Sequence, residues 1–207
     1  MLQTLTERLF DDGDRSDLDP FAVFEEWFAL AKEAEPNDPH AIALATVDED
    51  GLPDVRMVLL NARDERGFSF FTNFESAKGR QLLAHPKAAM VMHWKSLRRQ
   101  VRMRGPVEQV TAQEADAYFA TRHKNSRIAS ASSKQSRPVA SRAQMLDEVA
   151  TLAAQIGTDE APRPAHWSGF RIVPTSIEFW KDGEFRLHDR VRFTRQANGW
   201  ASSRLYP

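Results

Sequence analysis

The chain has 207 residues, 42% hydrophobic and 28% charged, with a formal net charge of −1 and no cysteine. That length and apolar content suit one globular domain with a real core. The charge balance argues against nucleic-acid partners and a polybasic membrane anchor, and the absence of cysteine excludes disulfides, thiolate metal sites and cysteine nucleophiles.

Residues 1–19 are acidic and weakly patterned, which predicts a mobile N-terminal arm ahead of a single domain over 20–207. They lack a basic start followed by an apolar run, so no secretory signal is expected. No apolar run approaches the ~18 residues of a membrane span, and the expected compartment is the cytoplasm. "DPFAVFEEWFALAKEAE" (19–35) begins with an aspartate cap and an early proline. Its apolar residues Phe21, Phe24, Trp27, Phe28 and Ala31 recur at helical spacing.

The period then changes to two. Strands are predicted over 41–47, 54–62 and 68–73, joined by the turns "DEDG" and "RDERG". A short helix follows over 76–86, from Ser76 to Pro86. Two more strands are expected at 88–94 and 99–110. Thr111 and Glu114 form a capping box ahead of a helix over 112–122. A polar segment (123–141), a helix (142–156) and a loop (157–166) lead to strands at 168–181, 185–195 and about 199–205. The set predicts a mainly β fold with helices, built as a small antiparallel barrel.

Several stretches carry chemistry. In "RLHDR" (186–190), alternation puts Arg186, His188 and Arg190 on one strand face. Two guanidiniums beside an imidazole make an anion-binding surface, and the same spacing fits a solvated edge strand. Gln100, Arg102 and Arg104 share a face that suits either a phosphate pocket or a solvated wall. The helix opening at Ser76, with Lys78 nearby, offers free N–H groups to an anion, as many unliganded helix starts do. Tyr118, Arg122 and Ser126 are four apart; on one continuing helix they share a face fit for a phosphate or simply for water. No histidines stand at metal-ligand spacing, and no metal is expected.

The stretch Ile177-Glu178-Phe179-Trp180, followed by Arg186-Leu187-His188-Asp189-Arg190, resembles the signature of the pyridoxine (pyridoxamine) 5′-phosphate oxidase family. "RMVLL", "FFTN", "RRQVR", "SKQSRP" and the ending "SSRLYP" are similar to the family in its order, from about residue 20 to the C-terminus. The resemblance implies an FMN-binding split β-barrel that is homodimeric, with the cofactor at the subunit interface. It implies FMN contacts from Arg56, Met57, Val58, Leu59, Leu60, Phe71, Thr72, Lys78, Gln100, Gln135, Ser136, Trp180 and Arg190. It assigns the substrate phosphate to Tyr118, Arg122 and Ser126, and the substrate's C4′ side to the catalytic pair Arg186 and His188.

The implied reaction oxidises pyridoxamine or pyridoxine 5′-phosphate to pyridoxal 5′-phosphate by hydride transfer to flavin, with O2 as final acceptor and H2O2 as product. A phenazine-pathway FMN oxidase and a non-catalytic FMN or pyridoxal-phosphate binding protein are the alternatives. The chain departs from the family pattern at Asn61, usually a phosphate-binding lysine, at Ala77 within the usual Ser-Arg-Lys, and at Lys181, usually glutamine. A basic-aromatic motif able to cover the substrate is not evident in residues 1–19.

Two geometric expectations follow. A three-residue Asp182-Gly183-Glu184 loop pairs Trp180 with Arg186 on one face. Arg56 and Asn61 can serve one site only if their strand bends or ends near Leu60, because strict alternation places them on opposite faces.

Overall fold

The computed structural model describes residues 3–158 and 160–207. Its strands form an antiparallel sheet that curls into a split barrel. The hairpin of β1 (Ala41–Val47) and β2 (Pro53–Leu59) lies at one end, beside β5 (Lys87–Trp94). The long strand β6 (Arg99–Gln109) then pairs with β5 along its length. On its other side β6 meets β8 (Ser176–Lys181) over 99–104 and β7 (Trp167–Ile172) over 107–109. The remaining strands extend the two branches: β9 (Asp189–Gln196) and β10 (Gly199–Arg204) beyond β8, and β4 (Gly67–Asn73) with β3 (Ala62–Asp64) beyond β7.

The branch point depends on Gly105. The chain from β7 to β8 crosses there, and a Cβ on residue 105 would lie 1.9 Å from the Val173 carbonyl oxygen. Val173 and Thr175 donate to the carbonyls of Pro106 and Arg104, so the crossing leaves no backbone donor stranded. Pro174 between them splits the expected strand 168–181 in two.

Helix α2 (Pro20–Ala34) closes one end of the barrel. Asp19 caps it by accepting from the Phe21 N–H, and Pro20 opens the first turn, where a missing N–H is harmless. Its buried stripe of Val23, Phe24, Trp27, Phe28 and Ala31 enters the core, with Phe24 edge-on to Phe68 at 4.9 Å and Trp27 edge-on to Phe179 at 5.2 Å.

Residues 3–19 of the expected N-terminal arm are instead packed structure, and residues 1 and 2 lie outside the described residues. Thr4 and Glu7 form a capping box on α1 (Leu5–Phe10), and Leu9 and Leu18 are buried in the core. Glu26 of α2 accepts from the Leu5 and Thr6 N–H groups, so the first turn of α1 is satisfied by a neighbour distant in sequence.

Helix α3 (Ala77–Ala84) begins at Ser76 as expected. Helix α4 (Ala112–Thr121) does not continue through Ser126. It stops at Arg122, whose backbone is extended, and α5 (Lys124–Ser132) starts afresh from His123 within the polar segment 123–141. Helix α6 (Arg142–Ile156) matches its expected bounds. The expected strand 54–62 ends at Leu59, and β3 starts at Ala62, so the break near Leu60 is present.

Candidate active site

A cavity of about 520 Å³ opens where the end of β2 meets β4, α4, α5 and the segment after α5. That is within the usual range for small-molecule sites. Its wall includes an aromatic stack: Tyr118 lies 4.1 Å from Phe71 at 13°, and Phe71 lies 5.4 Å from Trp167 at 8°. Gly169 makes room for that stack, since a Cβ there would sit 2.7 Å from the Phe71 ring.

Two cations face the cavity. Lys78 is 9% exposed, and its Nζ donates to Gln135 Oε1 at 2.8 Å, with Thr72 Oγ1 at 3.3 Å and Ser76 Oγ at 3.4 Å. All three partners are neutral. Burial, followed by the charge of Arg56, pulls the lysine below its ordinary range. Arg122 donates to Ser130 Oγ at 2.7 Å and lies 5.1 Å over the Trp167 ring; burial lowers its pKa. Tyr118 is raised by burial, an effect that Arg122 and Asn61 partly offset.

Met57, Val58, Leu59, Asn61, Phe71, Thr72, Lys78, Tyr118, Arg122, Ser126 and Gln135 therefore line one cavity. The break between α4 and α5 does not separate Tyr118, Arg122 and Ser126. Arg56 stands behind this wall, donating to Thr46 Oγ1 at 2.5 Å and Gln81 Oε1 at 3.1 Å. Leu60 packs in the core at 3% exposure, and exposed Ser136 follows Gln135 in a left-handed conformation (φ 70°); neither lines the cavity.

The other expected residues lie elsewhere in the same chain. Gln100, Trp180 and Arg190 are in register across β6, β8 and β9. The row lies on the outward face, because the adjoining row Val101, Phe179 and Val191 is buried in the core. Arg190 is held by Glu178, a buried carboxylate, at 2.8 and 3.0 Å.

The expected pairing of Trp180 with Arg186 does not occur: Trp180 pairs with Arg190, and residues 182–188 form the connection. Arg186 sits in a short 3-10 turn with φ 68°, beside Phe185 at φ 53°, so strand alternation does not govern this segment. His188 returns to Trp180, with ring centroids 4.7 Å apart. Its Nδ1 lies 3.2 Å from both Asp182 Oδ1 and the Gly183 N.

Trp167, Ser130 and Asn73 line the cavity without having been anticipated. The only local hint for Trp167 was an aromatic two residues before a glycine, which says nothing of its partner until β4 and β7 are paired.

Residues 30–156 match the family described as pyridoxamine 5′-phosphate oxidase. Residues 167–207 match the pyridoxine 5′-phosphate oxidase C-terminal dimerisation region. The chain belongs to the pyridoxamine 5′-phosphate oxidase family. The pyridoxine/pyridoxamine 5′-phosphate oxidase of Rhizobium leguminosarum bv. trifolii is 62% identical over 191 residues, covering 91% of this chain and 93% of that one. Among solved structures, PhzG from Burkholderia lata, crystallised with tetrahydrophenazine-1-carboxylic acid, is 30% identical with a TM-score of 0.87 and covers 96% of each chain. A pyridoxamine 5′-phosphate oxidase-related, FMN-binding protein from Nostoc punctiforme shares the fold at 17% identity, with a TM-score of 0.75 over 92% of this chain and 99% of that one. The two family matches together leave out only residues 1–29 and 157–166.

Proposed function

We propose that this chain is an FMN-dependent oxidase that converts pyridoxamine or pyridoxine 5′-phosphate to pyridoxal 5′-phosphate, using O2 and releasing H2O2. One observation carries the reading: a flat aromatic wall in a single cavity with two separate cationic side chains, Lys78 and Arg122. Among the described residues the buried Lys78 ammonium has only neutral acceptors, which suits a bound phosphate better than an empty site. FMN fits that donor set, with Lys78, Thr72 and Gln135 toward its phosphate and the β2 end, Met57 to Leu59, along its length. When bound, FMN supplies the hydride acceptor that O2 regenerates.

Arg122, Tyr118 and Ser126 hold the substrate's phosphate and so fix the ring against the flavin. The identity to the Rhizobium oxidase, twice that to PhzG, favours the vitamin B6 esters over a phenazine.

We further propose that the working form is a homodimer. The outward sheet face carries Val55, Met57 and Leu59 at 65%, 63% and 41% exposure. Met57 and Leu59 also line the cavity, so whatever covers this face closes the site. A second copy would bring its own Gln100, Trp180, Arg186, His188 and Arg190 to the cavity. In that arrangement Arg186 faces the C4′ side. His188 Nδ1 accepts from the Gly183 N–H when Nε2 carries the ring proton, and donates to Asp182 Oδ1 when Nδ1 carries it, which leaves Nε2 free to accept. Either way Nε2 is the atom left to handle the proton at the C4′ substituent.

Aerobic turnover tests the proposal. Holoprotein given pyridoxamine 5′-phosphate should produce H2O2 and the pyridoxal-phosphate absorbance band; holoprotein that binds the ester and yields neither is a binding protein instead.

A further inference from the structure

Asn61 stands where the family pattern has lysine, and its surroundings give it a role other than that of a weaker ligand. Its backbone N–H donates to the Ser69 carbonyl at 2.9 Å, which pins the residue between β2 and β3. Its side-chain Oδ1 accepts from the Phe71 N–H at 3.3 Å, and its Nδ2 lies 2.6 Å from Tyr118 Oη. A backbone N–H can only donate, so it decides which end of the amide is oxygen and turns the NH2 toward the phenol. Tyr118 Oη is thereby an acceptor from Asn61, and its own proton must point elsewhere. The ring cannot swing freely, because it is stacked on Phe71 at 4.1 Å and parallel to Trp167 at 6.2 Å. The same cavity wall holds Arg122 and Ser126.

We propose that Asn61 is a positioning residue that commits the Tyr118 hydroxyl proton to an anion in the cavity. The inference rests on the phosphate placement proposed above and deepens it. A phosphate dianion only accepts hydrogen bonds. A tyrosine whose oxygen is already occupied by a donor is therefore matched to it, and poorly matched to a free hydroxyl or amine in the same place. Asn61 thus sets selectivity for phosphorylated over dephosphorylated ligand without itself touching the phosphate.

A double-mutant cycle on flavin-loaded protein tests this, reading the dissociation constants of pyridoxal 5′-phosphate and pyridoxal. Asn61→Ala should weaken the phosphate by about fivefold, the loss of one neutral hydrogen bond. Made in a Tyr118→Phe background, the same change should have no further effect. Asn61→Asp keeps the shape and the Phe71 contact, but it accepts the phenol proton and should weaken the phosphate by more than the alanine does. Pyridoxal binding should change little in each variant.

A second readout does not involve the ligand. The chain has two tyrosines, Tyr118 and Tyr206, so an ultraviolet titration in a Tyr206→Phe background reads Tyr118 alone. Loss of the Asn61 donor should move Tyr118 further upward.

If Tyr118→Phe leaves pyridoxal 5′-phosphate binding unchanged, the phosphate does not lie at Tyr118 and the functional placement itself fails. If Tyr118→Phe weakens binding but the Asn61→Ala effect is the same in both backgrounds, only the positioning role fails. An unmoved Tyr118 titration in Asn61→Ala likewise overturns the positioning role.

Discussion

Replacing Lys78 by methionine should move two properties in opposite directions. Lys78 is 9% exposed, and among the described residues its ammonium meets only the Gln135, Thr72 and Ser76 oxygens. Its pKa in the folded chain is below the ordinary lysine value of 10.5, chiefly through burial. Between that lowered value and 10.5 the unfolded chain binds the proton better, so the charge destabilises the cofactor-free fold. The penalty is fully present below the lowered folded value and disappears as the pH rises past the unfolded one. Methionine has a similar length and no charge to desolvate, and Ser76 Oγ keeps its bonds to Asn73 O and the Gly79 N–H. A gain of about 1 kcal/mol should raise the Tm of the flavin-free protein by roughly 2–4 °C. If Lys78 holds the flavin phosphate as proposed, the same change removes a charge-assisted hydrogen bond to it, about 1.5–3 kcal/mol. Flavin affinity should fall roughly 10- to 150-fold. Calorimetry of the flavin-free protein at neutral and alkaline pH, beside a flavin fluorescence titration, reads both. A lower Tm at neutral pH would refute the unpaired-cation reasoning, and unchanged flavin affinity would refute the assignment of Lys78 to the phosphate.

Asn61→Lys restores a cation beside Tyr118 and should lower the KM for pyridoxamine 5′-phosphate several-fold with flavin affinity nearly unchanged; steady-state kinetics and a flavin titration check it. Val55→Glu places a charge on the exposed apolar sheet face at a position that does not line the cavity. It should yield a monomer by sedimentation that retains little flavin, and a monomer that keeps full flavin would separate cofactor binding from dimerisation. Glu114 is held down to about 2 by the Thr111 N–H and hydroxyl and by Arg171 and Arg66. Its contribution is therefore complete above the ordinary carboxylate pKa and is lost as the pH falls toward about 2. Glu114→Gln should lower stability by roughly 1–2 kcal/mol at neutral pH, after allowance for solvent screening, and by little in strong acid, as denaturant melts would show.

Much of the fold was legible because its signals are local. The Asp19-Pro20 start of α2, the Thr111–Glu114 box on α4 and the period-two strands depend on neighbours within one turn or one pleat. The misread segments lacked such signals or carried misleading ones. The start of the chain looked too polar to fold, yet Leu9 and Leu18 suffice to anchor it once α2 offers a surface. "RLHDR" alternates like a strand, but its first three residues belong to a left-handed turn and its return, where alternation carries no meaning.

The sequence by itself determined which residues could bind anions: the arginines and lysine, the Tyr-Arg-Ser spacing and the signature around Trp180. Tertiary structure decided which of them meet. Asn61 and Tyr118 are 57 positions apart, and Lys78 and Gln135 are also 57 apart; no periodicity couples such distances. They come together because β2 ends at Leu59 and because α4 and α5 border the same cavity as β4. The same folding sends Gln100, Trp180 and Arg190 to the outward face of the sheet, since the alternate positions Val101, Phe179 and Val191 fill the core. A strand has only two faces, and burying one of them obliges the functional residues to line the other.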